Sequence, residues 1–278
     1  MTPDVTPENA GWGYSGLRIV ELPSAGTYRC DTGEDEVVVV PLAGSATVTA
    51  DGHRADLAGR QSVFAGPTDV AYVPRDSSLT LTGTPGGRFA LATARARRRL
   101  PFRHVPLAQV RVELRGAGSC SRQVNNFATP DVLEADRLIA CEVLTPGGNW
   151  SSYPPHKHDE ERPGESVLEE IYYYEVAGGG PAYQRVYGTD ERPIDILREV
   201  RSGDVVLIPH GWHGPSMAAP GYDLYYLNVM AGPGARSWLI CDDPAHAWVR
   251  DTWADQVVDP RLPFTPQGGS PTVDGGGR

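Results

Sequence analysis

Apolar and polar residues alternate in short runs along most of the first hundred positions: GLRIVELP, EVVVVPLAG, GSATVTADG, SVFAG, DVAYVP, SLTLTG and RFALATA follow one another at brief intervals. A period of two places every second side chain on one face of an extended strand. Each run is bounded by Gly, Pro, Asp or Ser, residues that make turns, so the pattern predicts many short strands of a sandwich or barrel. The stretch FRHVPLAQVRVELRGAGSC, residues 102–120, adds another alternating strand and a Gly-rich turn, and a domain junction is expected there, between residues 118 and 119. Residues 1–13 read as a loose arm. Near the C-terminus, Asp243 followed by Pro244 has the form of a helix start, and HAWVRDTW then predicts one short helix. From Thr265 onward, TPQGGSPTVDGGGR has the composition of a disordered tail. The fold class expected is all-β, in two units, residues 1–118 and 119–264.

The second unit repeats the first. Glu36 opens EVVVVPLAG and Glu170 opens EIYYYEVAG; later, DVAYVP ending at Pro74 answers DVVLIP ending at Pro209. The two copies differ by a single residue in this spacing, which favours duplication over coincidence. No histidine precedes Glu36 where the second copy has His156 and His158, and Ser78 stands where the second copy has His213. The first unit is therefore expected to serve as scaffold.

Candidate chemistry collects in YPPHKHDEERPGESVLEEIYYYEVAG, from Tyr153 to Gly178. His156 and His158 leave the same face of an extended backbone, Glu170 follows at the head of a strand, and His213, with His210 as its rival, follows a second strand. Three imidazoles and one carboxylate suit a divalent transition metal or zinc. Tyr172 and Tyr174 share the face of Glu170, where phenols can donate hydrogen bonds or relay protons. In YDLYYLNVMAG, Tyr226 and Asn228 share a face and are candidates for polar substrate contacts. Lys157 is the only lysine among 25 basic residues and stands between the paired histidines, which suggests a compact, titratable ammonium with a chemical role, although strand parity turns it outward. Arg122 has the planar fork that pairs with a carboxylate.

Composition narrows the function classes. A net charge of −10 and a pI near 5.2 leave no broad basic field, so nucleic acid and anionic membranes are not expected partners and a small ligand is. The chain has no run of roughly 20 apolar residues and its start lacks a secretory pattern, so a cytoplasmic protein is expected. Its four cysteines have no CxxC spacing and read as free thiols. Assembly into a homo-oligomer is left open.

The HKH segment, Glu170 and GDVVLIPHGWH from Gly203 to His213 resemble the two motifs of the cupin superfamily, and the duplication resembles a bicupin of two β-barrel or jelly-roll domains. More specifically, RQVNNF, SSYPPHKHD, LEEIYYYEV, QRVY and YDLYYLNVMAGP are similar to the 5-deoxy-glucuronate isomerases of bacterial inositol catabolism, and nearly the whole chain shares this likeness. A more distant resemblance is to 5-keto-4-deoxyuronate isomerase. The resemblance implies an aldose-ketose isomerase converting 5-deoxy-D-glucuronate to 5-dehydro-2-deoxy-D-gluconate. It also implies a metal held by His156, His158, Glu170 and His213, zinc foremost with manganese and iron as alternatives. For such a sugar acid, Lys157, Arg122 or Arg185 would hold the carboxylate. An iron-dependent cupin dioxygenase and a non-catalytic sugar-acid binding protein are the competing expectations.

Overall fold

A computed structural model describes residues 2–24 and 26–265; the tail expected from Thr265 onward, Thr265 itself excepted, lies outside the described residues. The architecture is all-β. Strands between Asp4 and Val105 form one sheet system built around the long strand Asp35–Ala50. A second sheet has six antiparallel strands in the spatial order Arg111–Arg115, Arg122–Ala128, Ile139–Thr145, Leu224–Ala231, Glu169–Val176 and Val205–Ile208. A third contains Asp195–Val200, Ala182–Tyr187, Trp212–Ala218, His156–Lys157 and Cys241–Asp242 in that order. Because Arg111–Arg115 pairs with Arg122–Ala128, the change of sheet falls between Val105 and Arg111, upstream of the junction expected at residue 118.

Three apolar cores follow from these layers. One fills the N-terminal barrel, with Val37, Val39, Val73, Leu81 and Phe89. Another lies between the second and third sheets, with Val124, Tyr172, Tyr174, Val186 and Tyr226. The largest joins the halves, packing Val38, Val40 and Tyr72 of the first sheet against Phe127, Tyr173 and Tyr225 of the second. The second sheet is thus covered on both faces, and every residue of Arg122–Ala128, Ile139–Thr145 and Leu224–Ala231 is buried. Strands covered on both faces need not alternate, which explains why polarity is a weak guide here.

Polar side chains stitch this interface. Arg60 pairs with Glu142 through two buried contacts of 2.8 and 2.7 Å, and the same carboxylate accepts from Asn125 and the Tyr225 hydroxyl. Glu36 accepts from the backbone N–H groups of Asp136, Arg137 and Leu138 and from the Tyr72 hydroxyl. The N-terminus is not a loose arm: Asp4–Val5 pairs with Leu17 and Arg18, Thr6 caps a single helical turn, and Glu169 accepts from the N–H groups of Gly13, Tyr14 and Ser15.

Two further expectations change. The residue preceding the repeat's proline faces Val37 in the first copy and Glu170 in the second, because Val73 pairs with Val37 and Ile208 with Glu170. The counterpart of Glu170 is therefore Val37, inside an apolar barrel, whereas Glu36 lies on the opposite face and serves the interface. The C-terminal helix is a 3-10 helix, Ala247–Asp255, that begins beyond Asp243. Asp243 opens the turn that leads into it: its carboxylate accepts from the Ala245 N–H two residues on, as an N-cap does, and also from the Tyr187 hydroxyl, while its carbonyl accepts from the N–H groups of His246 and Ala247.

Candidate metal centre

The two sheets of the C-terminal barrel bring the ligand candidates to one point. Glu170 projects inward from Glu169–Val176, and parity carries Tyr172 and Tyr174 into the same core while Ile171 and Tyr173 face the interface. On the opposing sheet, His156 sits directly across from His213. Next to His213, Gly214 sits at φ +105° against the segment that precedes His156; a Cβ there would overlap the Ser152 carbonyl oxygen.

The atoms of His158, Glu170 and His213 that can bind a cation lie within 4.8 Å of one another. All three side chains are buried. His156 stands beside them, its ring 4.4 Å from that of His213 and 6.5 Å from that of His158. His210, the rival third histidine, is not part of the cluster.

Hydrogen bonding sets the tautomers. The Nδ1 atoms of His156, His158 and His213 approach the carbonyl oxygens of Pro154, Leu168 and Gly211 at 3.3, 3.1 and 3.2 Å. A carbonyl only accepts, so each Nδ1 carries a hydrogen, which leaves Nε2 as the ring atom able to bind a cation. The Nε2 atoms of His158 and His213 then stand 3.1 and 3.0 Å from one oxygen of Glu170. That nitrogen of His213 is buried and makes no hydrogen bond. Lone pairs converging on a carboxylate need a proton or a cation between them, and this donor set fits a divalent metal. Asn228 donates to the other Glu170 oxygen at 2.6 Å and fixes the carboxylate.

Electrostatics agree with a charged ligand set. Burial would raise the Glu170 carboxyl, but His213 and His158 outweigh it and bring it down to about 2. Burial, followed by the neighbouring His213, holds His156 well below the ordinary histidine value. For His158 burial also acts downward, yet the contact with Glu170 overrides it and the net shift is upward. Burial, helped in the case of Tyr172 by the Glu170 charge, pushes Tyr172 and Tyr174 well above the usual phenol value, so both remain protonated at neutral pH.

Around this cluster, the hydroxyls of Tyr172 and Tyr226 meet on Ser152 Oγ at 3.1 and 3.0 Å, and the Tyr172 ring lies edge-on to His213. Tyr174 donates to Gln184 at 2.8 Å, which occupies its phenol. Neither Ser152 nor Gln184 stood out in the sequence; the only signals were that Ser152 shares the SSYPPHKHD motif and Gln184 the QRVY motif. Arg122 is buried on the barrel-facing side of its strand, two residues from Val124 of the barrel core.

Lys157 and Arg185 are elsewhere. The Lys157 ammonium is held by Asp159, Glu160 and Glu165 at 2.6, 2.9 and 2.8 Å and rests over Trp212, on the face of its strand opposite the histidine cluster. Strand parity prevails over its compositional rarity. Arg185 alternates with the buried Gln184 and Val186 and so points outward, where Asp195 and two backbone carbonyls occupy its guanidinium.

Comparison with known proteins agrees with this architecture. A 5-deoxy-glucuronate isomerase of Geobacillus kaustophilus is 44% identical over 252 residues, covering 89% of this chain and 90% of that protein. The enzyme of the same name from Bacillus subtilis strain 168 is 39% identical over 253 residues, covering 90% and 92%. The crystal structure of an IolB-like protein from Salmonella typhimurium LT2 superposes with a TM-score of 0.84 at 37% identity, covering 89% of this chain and 94% of that one. Bacillus subtilis oxalate decarboxylase, at 14% identity and a TM-score of 0.59 over 86% and 74% of the two chains, shares the duplicated fold alone. The described part of the chain contains no helix long and apolar enough to cross a membrane. The profile of the KduI/IolB family matches residues 1–249, spanning both barrels and every residue of the His/Glu cluster, and the chain belongs to that family.

Proposed function

We propose that this protein is a metal-dependent aldose-ketose isomerase that converts 5-deoxy-D-glucuronate to 5-dehydro-2-deoxy-D-gluconate in the cytoplasmic breakdown of myo-inositol. The observation that carries this reading is the buried convergence of His158, Glu170 and His213, in a chain whose curated relatives bear the name of that isomerase. His156 would complete a set of three imidazoles and one carboxylate, with zinc the first choice of metal. A divalent cation held there would supply Lewis acidity to the reacting carbonyl.

The reaction moves the carbonyl by one carbon: a proton leaves the carbon next to the aldehyde and returns to the former aldehyde carbon, while the hydroxyl proton on that neighbouring carbon passes to the aldehyde oxygen. The chain's own groups suit this. Asn228 and the three backbone carbonyls on the histidines keep the donors in place. Tyr172 and Tyr226, linked through Ser152, offer protonated phenols as hydrogen-bond donors to sugar oxygens. The burial of the cluster excludes water from its immediate surroundings and strengthens these contacts.

Anaerobic turnover followed by proton NMR in deuterium oxide tests the assignment. The zinc-loaded protein is expected to consume the aldehyde acid without oxygen and to place deuterium on the new CH2OH carbon. Conversion that requires oxygen would identify a dioxygenase, and stoichiometric binding without conversion would identify a binding protein; either overturns the isomerase reading.

A further inference from the structure

Three arginines stand together on the barrel side of the second sheet. Arg115 lies directly across from Arg122 on the adjacent strand, and Arg250 reaches in from Ala247–Asp255. Arg115 is matched by Glu113 through two hydrogen bonds of 3.0 and 2.9 Å. Arg250 is matched by both oxygens of Asp242. Two carboxylates therefore serve three guanidinium groups, and the unmatched one is the most deeply buried: Arg122 is only 5% exposed.

Among the described residues Arg122 makes no ion pair; it donates from Nη1 to the Cys120 carbonyl at 3.1 Å and stacks over Trp253 at 5.4 Å. Another arginine shows what a satisfied, unpaired guanidinium looks like in this fold. Arg236 donates from Nε, Nη1 and Nη2 to three backbone carbonyls, each at 2.7 Å. Arg122 has no such closure, so most of its five N–H donors remain for a ligand. A charge buried without a counter-ion is unfavourable in the empty protein and becomes favourable when an anion arrives.

A relay of side chains connects this arginine to the metal centre. Tyr226 lies on the same barrel face as Arg122 and meets Tyr172, beside His213, through Ser152. Burial raises the Tyr226 phenol, and Arg122 is among the groups that pull it back, a sign of their proximity. A cavity of about 350 Å3, lined by Arg115, Trp238, Ile240, Asp242 and Arg250, adjoins this cluster. Asp242 pairs in register with His156, which ties the cavity wall to the ligand strand.

We infer that Arg122 is the carboxylate subsite, holding the acid end of the sugar so that its carbonyl end reaches the His/Glu cluster. This rests on the isomerase reading for the identity of the acid. The geometry makes Arg122 a specificity residue: an uncharged polyol of equal length cannot supply the missing counter-charge.

The test uses D-gluconate and sorbitol, an acid and its uncharged analogue that need no turnover, with calorimetric affinity measured on the metal-loaded wild type, Arg122→Gln and Arg122→Lys. Gluconate is expected to bind wild type and to weaken roughly 10- to 100-fold in Arg122→Gln, with partial recovery in Arg122→Lys. Sorbitol should bind all three alike, metal content should not change, and any loss of turnover in Arg122→Gln should appear mainly in KM. Equal gluconate affinity in wild type and both variants, or a loss of metal in parallel with affinity, overturns the inference. Should the glutamine variant fail to fold, protection of wild type against thermal unfolding by gluconate but not by sorbitol supports the subsite, and equal protection by both refutes it. Failure of the wild type to isomerise the aldehyde acid would sink the isomerase reading while leaving the gluconate result to decide the anion subsite.

Discussion

His213→Ala is expected to give a folded protein that takes up little metal and turns over roughly 10³-fold more slowly, several kcal/mol of Lewis-acid stabilisation being lost. The reasoning starts from position. The His213 ring is fully buried, pairs across the strands with His156 and places Nε2 3.0 Å from Glu170. No nearby imidazole can replace it, since His158 already engages the same carboxylate oxygen and His156 is held by Pro154. His210→Ala is the control, because that ring is not part of the cluster. Metal analysis and rate measurements on the two variants check this; retained activity in a metal-free His213→Ala protein would remove the Lewis-acid role.

The largest effect on stability is expected from Glu142→Ala, about 3–5 kcal/mol. Glu142 is the sole ion-pair partner recorded for Arg60 among the described residues, and both side chains are almost wholly shielded from water. Truncation would strand the guanidinium in the interface between the barrels and would also leave the Asn125 amide and the Tyr225 hydroxyl without their acceptor. Replacing the whole pair with Met and Leu is expected to cost far less, because the charge goes together with its partner. Chemical denaturation of the single and double variants separates these cases; a single variant as stable as the double would mean that the ion pair contributes little.

Much of this was legible in the sequence where local rules operate. Period-two runs between turn residues reported the strands, and parity within EIYYYEV correctly sorted Glu170, Tyr172 and Tyr174 from Ile171 and Tyr173. Spacing also brought His158, Glu170 and His213 to one cluster. Long-range pairing was hidden. That Glu169 would bind the backbone of Gly13 to Ser15, or that Tyr187 would occupy Asp243, depends on contacts across more than fifty residues. The glutamate repeat looked persuasive, yet a one-residue difference in spacing put Glu36 and Glu170 on opposite faces, the usual consequence of period two. Compositional rarity drew attention to Lys157, but its carboxylate partners lie in the acidic loop that follows it, a pairing that composition does not report. For Arg185 the same guanidinium chemistry that made it a candidate is used on Asp195 at the surface.

The most direct measurement is reconstitution of the chelator-stripped protein with zinc, following anaerobic isomerisation of 5-deoxy-D-glucuronate as metal is added. A His/Glu centre that carries the reaction predicts activity near zero without metal and a linear rise that levels off at about one equivalent per chain. Full activity in the stripped protein, or a rise that bears no relation to metal bound, would contradict it.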